Sequence, residues 1–205
     1  AEPQEYRSST YAFQRGDLLQ FDTGVKYLNF GTDMKRNAYL LREGETALPE
    51  DIRHAWDEGR RARDIMRRNI RTGRTARDTL AVVVAALEAE GFVYTPFVNF
   101  GDIDRQIVES FDQPNATGIS IDCHVVGNTG NSQVAVGPSF APFRELRADL
   151  MIQSNNIFSF EFITHTALPS FGNRRLRINF EDNVIVTNQG VELLYPRNER
   201  ILLIR

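Results

Sequence analysis

Leu18-Leu-Gln-Phe-Asp-Thr-Gly-Val-Lys-Tyr-Leu-Asn-Phe-Gly-Thr-Asp-Met-Lys-Arg-Asn-Ala-Tyr-Leu-Leu41 is the stretch whose reading decides the fold. It is rich in Leu, Phe, Tyr and Val and is broken by Gly24 and Gly31, the pattern of short strands joined by turns. Asp22 ends one apolar strand ahead of a Thr-Gly turn, and Asp33 opens the next strand just past Gly31. Asp at strand ends has an ordinary explanation in turn chemistry. An acid inside an apolar strand is nonetheless costly without a partner, and two acids on neighbouring antiparallel strands repel. A cation between them removes both costs.

The rest of the chain bounds what such a site serves. Its 205 residues suit one domain, or one with a small extension, and are enough to bury a core. Apolar residues make up 41% and charged residues 25%, as in an ordinary globular protein, and the net charge of -3 does not favour nucleic acid. The longest apolar run, Leu80 to Leu87, is too short to cross a bilayer. Cys123 is the only cysteine, which excludes an internal disulfide and a cysteine-based zinc site. The Asn115-Ala-Thr117 sequon has no other sign of secretion beside it, and no signal-peptide pattern opens the chain, so a cytoplasmic location is expected.

Residues 1–16 read as an irregular segment and 17–205 as the domain. Pro49 to Ile70 reads as a helix: Pro49 suits its first turn, Glu50 and Asp51 suit its dipole, and Ile52, Ala55, Trp56, Ala62, Ile65, Met66 and Ile70 mark its inner face. Arg60, Arg61, Arg63, Arg67 and Arg68 read as its solvated side. Thr75, with Asp78 three residues on, caps a second helix that stops at Gly91. A short helix is expected from Ile103 to Phe111, followed by a loop over Gln113 to Gly118. Strands are expected over 119–126, 134–138, 156–164, 174–187, 191–194 and 200–204, with a loop from Pro138 to Leu150 and a tight turn at Asn188-Gln-Gly190. The expected fold is α+β, with helices on one face of a curved, mainly antiparallel sheet.

Alternation along the later strands places further candidate ligands. In Phe158-Ser-Phe-Glu-Phe162 the phenylalanines share one face, while Ser159, Glu161 and Ile163 share the other. In Leu176-Arg-Ile-Asn-Phe-Glu-Asp182, Arg177, Asn179 and Glu181 lie opposite the apolar set. Both glutamates therefore leave the core face, and His124 lies on an apolar strand of its own. Taken singly, each has a structural explanation: a satisfied histidine, or glutamates facing water or Arg174, Arg175 and Arg177.

Taken together and in order, these segments resemble the pita-bread metallopeptidases, the family of methionine aminopeptidases, Xaa-Pro aminopeptidases, prolidases and creatinase. The segments are Phe21-Asp-Thr-Gly24, Thr32-Asp-Met-Lys-Arg36, a histidine ahead of Gly127, Phe158-Ser-Phe-Glu161 and Phe180-Glu-Asp-Asn-Val-Ile-Val-Thr187. The resemblance spans about residues 16–195 and is strongest to the Xaa-Pro aminopeptidase branch. It implies that Asp22 is a ligand of one divalent ion, that Asp33 and Glu181 bridge two, and that His124 and Glu161 hold the other. The ions would be Mn²⁺, Co²⁺, Zn²⁺ or Fe²⁺. It further implies a metal-bridging hydroxide attacking a peptide carbonyl, Glu161 shuttling its proton, a peptide substrate rather than nucleic acid or membrane, and a homodimeric full-length protein.

Three departures stand against that pattern. The family's histidine after the histidine ligand has no counterpart in Asn131 to Pro138, and its histidine ahead of the first Asp ligand has none in Tyr6 to Gln14. The elements that open the family's domain are also absent, so the chain reads as the C-terminal part of a longer protein. His165, on the same strand face as Glu161, is the candidate catalytic stand-in for a missing histidine. The rival to a peptidase is a weak or inactive pita-bread domain kept for peptide or protein binding. A metal-free hydrolase resembling creatinase fits less well, because all five ligand types are present.

Overall fold

The structure, a computed structural model, describes residues 10–96, 111, 113, 115–128 and 135–205. The stretch Leu18–Leu41 forms β1 (Leu18–Thr23), the short β2 (Lys26–Tyr27) and β3 (Phe30–Gly31), and β4 (Met34–Leu40). Gly24 is required where β1 ends: a Cβ there would run into the Thr32 carbonyl oxygen. Helix α1 (Glu50–Asn69) follows Pro49, and α2 (Ala76–Ala89) follows Thr75, whose hydroxyl accepts from the Asp78 amide at 3.0 Å.

The second half supplies β5 (Val93–Tyr94), β6 (Gly118–Ile121), β7 (His124–Val125), β8 (Gly127–Asn128), β9 (Ile157–Leu168), β10 (Arg174–Thr187), β11 (Gly190–Leu193) and β12 (Leu202–Ile204). The main sheet runs β1-β4-β10-β9-β6-β5, with β7 beside β9, β11 beside β10 and β12 beside β4. Most pairings are antiparallel, as expected, but β5 with β6 and β12 with β4 are parallel. A second sheet is made of β2, β3 and β8.

The core lies between α1 and the apolar face of β9 and β10. Ile52, Ala55, Trp56, Ala62, Ile65, Met66 and Ile70 are all buried, in agreement with the helical spacing. Phe180 is stacked between Trp56, at 4.5 Å between ring centroids, and Phe162, at 5.0 Å. Gly59 lets the helix come this close, because a Cβ there would occupy the Phe180 ring.

Five expectations need adjustment. Arg63 is buried rather than solvated, because the chain near its C-terminal end covers it; it donates to the Asn198 carbonyl at 2.8 Å. The expected strand over 119–126 breaks at Asp122 and Cys123 into β6 and β7, with Cys123 bridging to Phe140 instead. Strand β9 runs on to Leu168, and a single 3₁₀ turn, Glu145–Arg147, interrupts the loop after Pro138. Of the expected 134–138 strand, residues 135–138 are described and form no strand, and the expected Ile103–Phe111 helix lies outside the described residues except for Phe111.

Candidate metal centre

The polar face of the sheet carries one row of side chains across four strands. Asp22 on β1 is the register partner of Lys35 on β4, Lys35 is the partner of Glu181 on β10, and Glu181 is the partner of Glu161 on β9. Directly opposed residues share a face, so all four project together. Asp33 is two residues before Lys35 and shares that face, while His124 on β7 is paired with Ser159, two residues before Glu161. Two glutamates directly opposite each other and nearly sealed from solvent form an arrangement that demands positive charge.

Lys35 supplies part of it. Its Nζ lies 2.6 Å from Glu161 Oε1, 2.8 Å from Glu181 Oε2 and 3.2 Å from Asp22 Oδ2. Burial alone would lower its pKa, but Glu161 and Glu181 outweigh burial and hold it above the ordinary lysine value. The same two contacts were not foreseen from the sequence, although the spacing Asp33-Met-Lys35 already places both residues on one strand face.

The other part of the site centres on His124. Its Nε2 lies 3.6 Å from Glu161 Oε2, 3.8 Å from Asp33 Oδ2 and 4.0 Å from Glu181 Oε1. Its Nδ1 lies 3.3 Å from the Val125 carbonyl oxygen, a partner for a protonated Nδ1, which leaves Nε2 turned to the carboxylates. Burial lowers the imidazole pKa, but the hydrogen bond with Glu161 overrides it and the net direction is upward.

Neighbouring motifs fix these groups in place. Asn183 accepts from the Asp33 amide at 3.1 Å and donates back to the Asp33 carbonyl, while Ser159 donates to Glu181. On the reverse side Arg36 pairs with Asp182 at 3.0 Å and donates to the Glu181 carbonyl at 3.1 Å, tying β4 to β10. Asp122, at the break between β6 and β7, is held by Arg144 at 2.8 Å.

The charges remain out of balance. Burial and then Glu161 push Glu181 up to about 7, whereas Glu161 falls below its ordinary value because His124 and Lys35 outweigh its burial. Asp33 is raised, by burial first and Asp22 second.

The donor set suits a divalent ion. Asp33, His124 and Glu181 offer ligand atoms all within 4.8 Å of one another. Bonds of about 2.1 Å spread tetrahedrally put ligand atoms roughly 3.4 Å apart. The 3.6–4.0 Å separations about His124 Nε2 are therefore within a small contraction of that shape. Asp22 stands at the outer end of the row with its side chain 63% exposed and pairs with Lys35.

His165 is placed apart from this cluster. It shares the strand face of Glu161, but four residues of strand separate them by roughly 13 Å. Its Nε2 is 3.5 Å from the Ser120 hydroxyl, and Arg177 is its register partner. The residue is half-buried, yet burial, then Arg177 and Arg175, push its pKa down to about 3.

Comparisons with known proteins agree with the fold. The X-Pro aminopeptidase from Thermotoga maritima MSB8 superposes with a TM-score of 0.59 at 20% identity, over 93% of this chain and 43% of its own. Prolidase from Thermococcus sibiricus gives 0.59 at 16% identity, over 97% and 43%. Methionine aminopeptidase from Rickettsia prowazekii gives 0.54 at 14%, over 88% and 64%. The chain thus spans less than half the length of the first two, and no curated protein matches its sequence significantly. The model of metallopeptidase family M24 matches residues 2–188, nearly the whole chain, and with the pita-bread arrangement of its sheet and helices this chain belongs to that family.

Proposed function

We propose that this chain carries the metal-binding half of a peptidase acting on short peptides with proline in second position, as an aminopeptidase or dipeptidase. The observation that carries the proposal is the convergence of three carboxylates, from Asp33, Glu161 and Glu181, on His124 Nε2. The proposed ligands are Asp33, His124, Glu161 and Glu181, with Asp22 at the outer end of the row. Mn²⁺, Co²⁺, Zn²⁺ and Fe²⁺ all suit oxygen ligands with one imidazole. A divalent ion held there supplies Lewis-acid polarisation of a carbonyl and acidifies a coordinated water.

The protein's own groups divide the remaining work. Glu161 is kept as a carboxylate by His124 and Lys35, so it can accept the proton of an attacking water and return it to the departing amine. Asn183 and Ser159 hold Asp33 and Glu181 so that the site is rigid before substrate arrives. His165 is proposed to meet the part of a peptide that extends along β9, away from the scissile bond. The full-length protein is proposed to act in the cytoplasm as a homodimer, with residues 17–205 as its catalytic domain.

The second reading is a domain that binds peptides without cleaving them. Lys35 favours it, because an internal ammonium already satisfies much of the acidic row. The deciding experiment is hydrolysis of Xaa-Pro di- and tripeptides by the full-length protein with added Mn²⁺ or Co²⁺. Turnover that Glu161→Ala reduces by a factor of about 10³ or more supports the peptidase. Peptide binding without turnover, at any metal concentration, supports the rival.

A further inference from the structure

The polar row of this sheet holds a cation of its own. Lys35 Nζ contacts carboxylate oxygens from three different strands, at 2.6, 2.8 and 3.2 Å, and an ammonium has three protons to give. The lysine side chain is only 8% exposed, and the Glu161 and Glu181 side chains are more deeply buried still. An ion bonded to Glu161 Oε1 and Glu181 Oε2 at about 2.1 Å would need much of the volume that Nζ fills.

The opposite oxygens of the same two glutamates, Glu161 Oε2 and Glu181 Oε1, face His124. The row thus has two cation positions: an inner one between β4, β10 and β9 filled by an ammonium, and one about His124 lined by Asp33, Glu161 and Glu181.

Asp22, Asp33, Glu161 and Glu181 bring four negative charges when ionised, and Lys35 with one divalent ion brings three positive charges. One divalent ion beside Lys35 leaves the row one positive charge short and two leave it one over, so occupancy of the inner position by Nζ, not the charge count, decides the division.

We infer that the Lys35 ammonium replaces one of the two cations this fold's resemblance calls for, so that the centre takes a single divalent ion, at the His124 position. The inference rests on the metal-binding reading above and deepens it. Asp22 then anchors Lys35 and is not a metal ligand, and the row works as a mononuclear site with a fixed internal charge beside it.

The test is Mn²⁺ stoichiometry of the full-length protein, by calorimetric titration and elemental analysis, with electron paramagnetic resonance to detect spin coupling between neighbouring ions. The expected results are one Mn²⁺ per chain with an uncoupled spectrum for the wild type, and two per chain with a coupled spectrum for Lys35→Thr, which removes the charge and opens its volume. Asp22→Asn should leave the wild-type stoichiometry at one. Two coupled ions in the wild type overturn the inference, whether or not the variant folds, and leave the metal reading standing. One ion in both wild type and Lys35→Thr also overturns it, since the lysine would then not be what excludes the second. No Mn²⁺ in either protein overturns the metal reading and the inference with it.

Discussion

The two faces of the β9–β10 pair are built from alternate residues of the same segments and reach stability by opposite means. One face puts Phe158, Phe160, Phe162 and Phe180 against α1, where removal of aromatic surface from water and ring stacking against Trp56 suffice. The other puts Glu161 directly opposite Glu181, an arrangement that is unfavourable until cations offset it. The aromatic face is complete within the chain, whereas the acidic face is balanced only in part, by Lys35 and His124. The difference places stability on one face and chemistry on the other, with a single residue step between them.

Breaking the aromatic face should have the largest effect. Phe180→Ala leaves a cavity between Trp56 and Phe162 and should cost about 3–5 kcal/mol, read as a lowered denaturation midpoint. Added Mn²⁺ should stabilise this variant and the wild type alike and so leave the gap between them unchanged, because Phe180 lies on the face opposite the acidic row.

How far the sequence discloses each face follows from the range of the forces that build it. The alternation in Phe158-Ser-Phe-Glu-Phe162 and Leu176-Arg-Ile-Asn-Phe-Glu-Asp182 is local, so the sorting of aromatics from glutamates is legible, as is the cap at Thr75. Register is set by pairing across the chain. That Glu181 lies opposite both Lys35 and Glu161 depends on β4, β10 and β9 being neighbours, so local sequence does not disclose the lysine at the centre of the row as part of the site. The signal was present in the two-residue spacing from Asp33 to Lys35, but a lysine beside an arginine reads first as a solvated pair. The burial of Arg63 is hidden for a similar reason: its cover, Asn198 and Glu199, comes from a segment about 135 residues away.

The acidic face should break in a way that a metal can mend. Lys35→Met keeps most of the side-chain volume but leaves Glu161 and Glu181 facing each other without the ammonium. In metal-free protein this should cost about 3 kcal/mol, the lower end for removing one partner of a buried ion pair. A further Mn²⁺ at the position Nζ leaves should close much of that gap to the wild type, on the order of 2.7 kcal/mol at a hundredfold excess over its Kd. A gap to the wild type that Mn²⁺ narrows in Lys35→Met and leaves unchanged in Phe180→Ala would separate the two faces; equal narrowing in both would mean that they are not independent.

The smallest expected effect is at the far end of the polar face, where His165 adjoins two arginines instead of carboxylates. Its folded-state pKa, down at about 3, lies below the ordinary value of 6.5 that the unfolded chain would show. Between those values the unfolded chain binds a proton that the folded chain refuses, so stability falls as pH drops below about 6.5 and ceases to fall near 3. One unit below 6.5 the loss from this group should be about 1 kcal/mol, since each pH unit moves at most about 1.4 kcal/mol per proton. His165→Gln should remove that part of the slope. Comparing the two proteins' denaturation midpoints at pH 7.5 and pH 5.5 isolates it, because Glu181, whose raised pKa makes it lose stability in the other direction as pH rises, is common to both. A wild type and variant with parallel pH dependence would show that the ring takes up its proton in the fold as readily as outside it, and that the arginines at this end do not set its charge.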